Sequence, residues 1–245
     1  MSALIYGGRS PIALALCRVL GNSGHEVHLI TRNVDQSILR LAKENKCAEI
    51  HECDLEDQEK SIEIATKIDD LVNGLSALGF VHRYRNTKAD RLKQFQVEVN
   101  TPYLILESLA KRTRSTQLSV MVTNSPASNK IVGDQDFNYH ASKAALAQMV
   151  RFGAVQFARN NVRVNGVSPG SFIFKDRAAD FYSKNPQIVE RANQLIPLGR
   201  MGNVTEVAEV MAFVLSGGSS YITGQILEVD GGLSILDQAF LSKPI

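Results

Sequence analysis

The chain has 245 residues, of which 44% are hydrophobic and 21% charged, the balance of a globular protein with a large core rather than a disordered or membrane-spanning one. Its formal net charge of +2 carries no electrostatic footprint for nucleic acid or a membrane surface. The three cysteines, Cys17, Cys47 and Cys53, form neither a metal-ligand spacing nor a redox pair, and the five histidines are scattered, so the expectation is no metal and reduced thiols in a cytoplasmic protein.

Met1 and Ser2 lead at once into a candidate strand at 3–6, which leaves no room for a signal peptide. Further short apolar runs at 26–30, 48–53, 77–81, 118–122, 163–167 and 225–229 alternate with segments of helical period at 11–21, 35–45, 58–72, 90–113, 139–160 and 204–215. Strands alternating with helices predict βα units and a parallel sheet. Pro11 opens the first helix, where its missing N–H is harmless, and Gly21 and Gly24 are expected to end it. Asn203 is a candidate N-cap. The segment 171–200 mixes Phe172, Phe174, Phe181 and Tyr182 with polar residues and reads as a lid over a site, an ordinary surface excursion being the alternative. No linker divides the chain, so 1–245 is read as one domain.

Strand one runs into Gly7-Gly8-Arg9-Ser10-Pro11-Ile12-Ala13, a glycine turn before a helix, where a pyrophosphate rests on backbone N–H groups. Pro11 removes one donor, and Ile12 and Ala13 keep theirs. Strand two ends in Thr31-Arg32, where an acidic residue would bind the ribose hydroxyls of NAD. Arg32 suits a 2′-phosphate instead, with Arg9 as a second positive charge, so NADP(H) is expected over NAD(H); a solvated Arg32 is the alternative. Asp54 and Leu55, after strand three, are placed at the adenine.

Tyr139 and Lys143 stand four residues apart, on one face of a helix. Two unit charges about 4 Å apart at an effective dielectric near 20 interact by roughly 4 kcal/mol. A lysine so placed favours a phenolate, so the tyrosine would pass a proton to or from an alcohol oxygen.

This pair, with Ser125 fourteen residues before it and Asn100 on the preceding helix, resembles the catalytic set of the short-chain dehydrogenase/reductase family. The segment Val162-Arg163-Val164-Asn165-Gly166-Val167-Ser168-Pro169-Gly170 resembles that family's segment beside the nicotinamide, and Pro197-Leu198-Gly199-Arg200, Tyr221-Ile222-Thr223-Gly224-Gln225 and Val229-Asp230-Gly231-Gly232 resemble its tail. The resemblance implies an α/β, single-domain, Rossmann-type doubly wound fold with a seven-stranded parallel sheet flanked by helices. It implies Tyr139 as general acid/base, Lys143 lowering its pKa and binding the nicotinamide ribose, Ser125 on the substrate oxygen, Asn100 holding a relay water, and Pro169 and Gly170 at the carboxamide. It also implies a homotetramer, or else a dimer. Three residues between tyrosine and lysine, rather than the six of the enoyl reductase branch, favour carbonyl/alcohol chemistry.

The chain departs from the family at Tyr6, where a threonine is usual, and at Phe80-Val81-His82-Arg83, which replaces Asn-Asn-Ala-Gly. Arg83 and Arg85, with Phe172, are candidates to bind a polar, sugar-like or carrier-bound acyl substrate; solvent or a cofactor phosphate are the other positions open to the two arginines. The expected activity is NADPH-dependent reduction of a ketone. A nucleotide-binding regulatory or scaffold protein without turnover is the alternative, and a Ser125 hydrolase ranks last because it lacks a nucleophile-elbow pattern and a histidine partner.

Overall fold

A computed structural model describes residues 1–83, 91–133, 135–175 and 178–237. Its centre is a seven-stranded parallel sheet of β1 (Ser2–Tyr6), β2 (Glu26–Thr31), β3 (Glu49–Glu52), β4 (Ala77–Phe80), β5 (Leu118–Thr123), β6 (Val162–Pro169) and a last strand, Ile226–Val229. The spatial order is β3-β2-β1-β4-β5-β6 and then the last strand. The inner strands are buried on both faces, which is why they read as unbroken apolar runs rather than alternating ones. Edge strand β3 is the exception, with Glu49 and Glu52 exposed and Ile50 and His51 half-buried.

Helices α1 (Pro11–Asn22), α2 (Gln36–Glu44), α3 (Gln58–Leu71), α4 (Arg91–Phe95), α5 (Thr101–Ala110) and α6 (Phe137–Gln156) cover the two faces. Beyond β6, Ile173–Phe174 (β7) pairs with Gly202–Asn203 (β8) and encloses α7 (Ala179–Lys184) and α8 (Pro186–Leu195). The helix Val204–Leu215 (α9) packs against α1, and the last strand is β9. Asn203 caps α9 in a capping box with Glu206, as its sequence predicts. Gly21 does not end α1. It lies inside the helix, where a Cβ would come within 2.7 Å of Lys46, and the turn is made by Gly24 at φ +82°.

One predicted helix is divided. The span 90–113 contains a π-helical turn at Gln96–Asn100 between α4 and α5. The wider turn changes the phase of the helix and directs Val97, Glu98 and Val99 into the protein.

The departures at Tyr6 and Phe80 are one feature. The two residues pair across β1 and β4, and their rings stack at 5.2 Å between centroids. The Tyr6 hydroxyl donates to the carbonyl of Ser61 on α3 at 3.0 Å, and burial pushes its pKa far up. The tail motifs are coupled in a similar way. Arg163 is buried in β6 and donates to the carbonyls of Val214, Ser216 and Ile222, while Asn165 bonds Ile222 and Gln225. These bonds fix β6 against the loop leading into β9.

Replacing Tyr6 by Phe removes one buried hydrogen bond without altering the stack. Denaturant unfolding of Tyr6→Phe is expected to show a loss of about 1 kcal/mol.

Candidate active site

A cleft of about 570 Å³ opens along the carboxyl edge of the sheet, where the strand order reverses between β1 and β4. This is where open α/β sheets bind ligands, and the volume suits a cofactor-sized molecule.

The glycine turn lies at its centre. Gly7 has φ +120°, and a Cβ there would fall 2.2 Å from the carbonyl oxygen of Val81. Only glycine permits both that backbone and that approach. Gly7 and Gly8 both donate to the carbonyl of Ile30, and Ser10 donates to Gly7, so these N–H groups are engaged within the turn. Pro11 has none. The α1 N-terminus therefore offers Ile12 and Ala13, ahead of Leu14, whose N–H already bonds Ser10. No acidic residue occupies the first turn, so its positive end faces the cleft uncancelled.

At one end of the cleft stand Thr31, Arg32, Asp54 and Leu55. Arg32 is exposed and makes no hydrogen bond or ion pair among the described residues. Arg9 also borders the cleft, but its guanidinium is bound to Asp35 at 2.5 Å. Asp35 in turn caps α2, and these contacts, the Ile38 N–H first and Arg9 next, hold its carboxyl below the usual range.

At the other end are Ser125, Tyr139, Lys143, Pro169 and Gly170. Asp136 caps α6 by accepting from the Tyr139 N–H at 2.8 Å, which starts the helix two residues earlier than its sequence suggests. Tyr139 is half-buried. The Lys143 ammonium lies 5.7 Å from the Tyr139 ring centre, and the Arg83 guanidinium stacks over the same ring at 4.6 Å. Arg83 also donates to Gln135. Ser125 follows β5, and its hydroxyl oxygen accepts from Ala127 at 3.2 Å, leaving its proton to donate.

Lys143 has a partner that sequence reasoning missed. Its Nζ is 2.6 Å from Glu98 Oε2 and 3.1 Å from the carbonyl of Thr123, with both charged side chains at most 2% exposed. Asn100, expected in the relay, is exposed and does not border the cleft. The π turn explains the exchange, because it turns Glu98 inward and Asn100 outward. The signal for Glu98 was an acid two residues before Asn100, which no local pattern separates from a surface charge. His82, replacing the usual third residue of the family segment, donates from Nε2 to the carbonyl of Val97 at 2.9 Å. Burial pushes its pKa down, opposed by Glu98.

Of the other expected residues, Phe172 lies off the cleft wall and Arg85 lies outside the described residues. Phe174, Phe181 and Tyr182 pack on each other, with Phe174 and Tyr182 stacked at 5.0 Å. His140 accepts from the Val132 N–H at 2.9 Å and bonds the Asp136 carbonyl at 2.7 Å, so it ties the loop before α6 to the helix.

The residues fit a dinucleotide. Thr123 Oγ1, Asn124 Nδ2 and His82 Nδ1, on cleft-lining residues, are buried without a hydrogen-bond partner among the described residues. Such atoms are costly unless something polar meets them.

The family model described as Enoyl-(Acyl carrier protein) reductase matches residues 7–234. The sequence is 32% identical over 244 residues to Carbonyl reductase family member 4 of Danio rerio, covering 96% of this chain and 98% of that protein. It is 29% identical over 239 residues to the 3-oxoacyl-[acyl-carrier-protein] reductase FabG of Rickettsia conorii, covering 95% and 96%. Among solved structures, a gluconate 5-dehydrogenase from Burkholderia cenocepacia in complex with NADP and tartrate shares the fold at a TM-score of 0.81 and 21% identity, over 96% of each chain. The chain belongs to the short-chain dehydrogenase/reductase family. It is an NAD(P)-dependent oxidoreductase. No helix among the described residues is long and apolar enough to cross a membrane.

Removing one member of a buried ion pair strands the other charge. Glu98→Ala is expected to cost about 3–5 kcal/mol in denaturant unfolding, and adding Lys143→Met to recover most of that loss.

Proposed function

We propose that this protein reduces a ketone to a secondary alcohol with NADPH, on a polar substrate of the sugar-like or carrier-bound acyl class. The observation that carries the reading is the cleft itself, which has Arg32 at one end and Ser125, Tyr139 and Lys143 together at the other. The 3-oxoacyl-[acyl-carrier-protein] reductase and the NADP-bound gluconate 5-dehydrogenase among its relatives support the two substrate classes and the cofactor.

Bound NADPH supplies the hydride to the carbonyl carbon. The protein's own residues then do three things. The N–H groups of Ile12 and Ala13 bind the pyrophosphate, and Arg32 with Thr31 binds the 2′-phosphate. The Ser125 hydroxyl donates to the substrate carbonyl and stabilises its growing negative charge. The Tyr139 hydroxyl gives its proton to that oxygen, with the Lys143 charge nearby favouring the phenolate that remains. Glu98 holds the ammonium in place. Arg83, stacked on the Tyr139 ring, faces an anionic or hydroxyl-rich part of the substrate. Residues 171–200, tied at both ends by β7 and β8, act as the lid.

A second reading has one observation in its favour. Glu98 neutralises much of the Lys143 charge, and a protein that binds nucleotide without turnover would tolerate that. The assembly proposed is a homotetramer, else a dimer, through α5 and α6, the second of which exposes Phe152 and Val155.

Tyr139→Phe is expected to lower kcat by about 10²–10⁴-fold while NADPH still quenches or enhances fluorescence on binding. Unchanged turnover would remove the mechanism, and wild-type protein that binds NADPH but reduces no carbonyl in a broad screen would leave the second reading. Arg32→Ala is expected to raise KM for NADPH roughly tenfold with little effect on NADH, because a hydrogen bond to a charged group contributes about 1.5 kcal/mol or more. Arg83→Ala should raise KM for the substrate and leave the NADPH dissociation constant alone. An unaltered KM would place Arg83 outside substrate recognition.

A further inference from the structure

Away from the cleft, at the β3 edge of the sheet, three side chains meet that the sequence keeps apart. His28 on β2 pairs with Glu49 on β3, and His51 lies two residues further along β3, opposite Ile30. Residues two apart on a strand share a face, so strand pairing brings all three to one side of the sheet. Glu26, two residues before His28, is on that side as well.

Their ligating atoms form a near-equilateral triangle. His28 Nδ1 lies 3.2 Å from His51 Nε2 and 3.4 Å from Glu49 Oε2, and His51 Nε2 lies 3.5 Å from the same oxygen. Donors about 2.05 Å from a tetrahedral zinc ion stand about 3.3 Å from one another. Two imidazoles on such an ion carry their ring centres about 5 Å apart, and here the centres are 5.5 Å apart.

Hydrogen bonding alone satisfies this group poorly. One proton serves the contact between the histidines, and the Glu49 oxygen lies beyond good hydrogen-bond distance from both. The remaining nitrogen of His28, Nε2, is buried and has no hydrogen-bond partner among the described residues. It points towards Glu26, whose carboxylate lies 3.6 Å away. A carboxylate behind a ligating histidine is the usual device for orienting the ring and raising its basicity. Entry is open, because the Glu49 side chain is 55% exposed while that of His28 is 2% exposed. Lys67 on α3 is near enough for its charge to reach His51, and the Glu49 carboxylate outweighs it there.

We propose that His28, Glu49 and His51 bind a divalent cation of the zinc class, with three protein ligands, Glu26 as support and water in the fourth position. The cation clips edge strand β3 to β2. These strands end beside Arg32 and Asp54, so it also steadies the end of the cleft assigned to the adenosine half. The site stands independently of the proposed reaction.

Protein freed of metal by a chelator, then titrated calorimetrically with zinc, tests this. The expected result is one equivalent bound, with affinity lowered tenfold or more in His51→Gln and in Glu49→Gln, and unchanged in Cys47→Ser. Both altered side chains are partly exposed, and the metal-free variants should match metal-free wild type in thermal midpoint. Zinc should raise that midpoint in wild type and not in the two variants. The proposal fails if wild type binds no zinc at millimolar concentration, or binds it as tightly without His51 or Glu49. It also fails if cobalt substituted for zinc gives a thiolate charge-transfer band that Cys47→Ser abolishes.

Discussion

The buried contact between Lys143 and Glu98 is the interaction on which the site depends. An ammonium taken this far out of water is stable only if an opposite charge and further acceptors meet it. Glu98 and the Thr123 carbonyl do so. The contact joins α6, the π-helical turn and the end of β5, the three elements that surround the reacting centre. It holds the Lys143 ammonium 5.7 Å from the Tyr139 ring centre. A carboxylate there makes the lysine a held, partly neutralised charge, which separates this chain from the arrangement its resemblance implies, where Asn100 would link the lysine to water.

The changes on the cofactor side obey a related logic. Tyr6 and Phe80 stand at neighbouring strand ends where the family carries polar residues, and they stack on each other. Two large rings fill the space behind the glycine turn, so the turn is backed by packing rather than by a polar network. Gly7 keeps its left-handed backbone against Val81, and the α1 N-terminus keeps Ile12, one of its two unbonded N–H groups, on the cleft wall. The turn therefore keeps its backbone shape although its later glycines are gone. The Arg163 network supports the opposite side, holding β6 and Pro169 against the loop that precedes β9.

Much of this was legible in the chain. Strand and helix positions follow from apolar runs and periodicity, because burial on both faces of an inner parallel strand leaves an unbroken apolar signature. The seven-stranded sheet agrees with the strands read from the sequence, to within one or two residues at most ends. Tyr139 and Lys143 were legible as a pair because an i, i+4 spacing is a local property of a helix. That Thr31 and Arg32 border the cleft was legible because the end of a second strand is a fixed place in a dinucleotide fold.

Features that depend on neighbours along the chain can be read from the residues alone: which segments are strands, which are helices, where they are capped, and which residues share a helical face. Tertiary structure decided what depends on helix phase and strand pairing. One π turn placed Glu98 rather than Asn100 against Lys143, although the two are two residues apart. The pairing of β2 with β3 brought His28 to Glu49 and His51 across more than twenty residues, turning scattered histidines into a cluster. Stacking of Tyr6 on Phe80 joined two departures that look unrelated in the sequence. Each rests on contacts between residues distant in the chain, or on a shift of helical register, and neither leaves a trace in local periodicity.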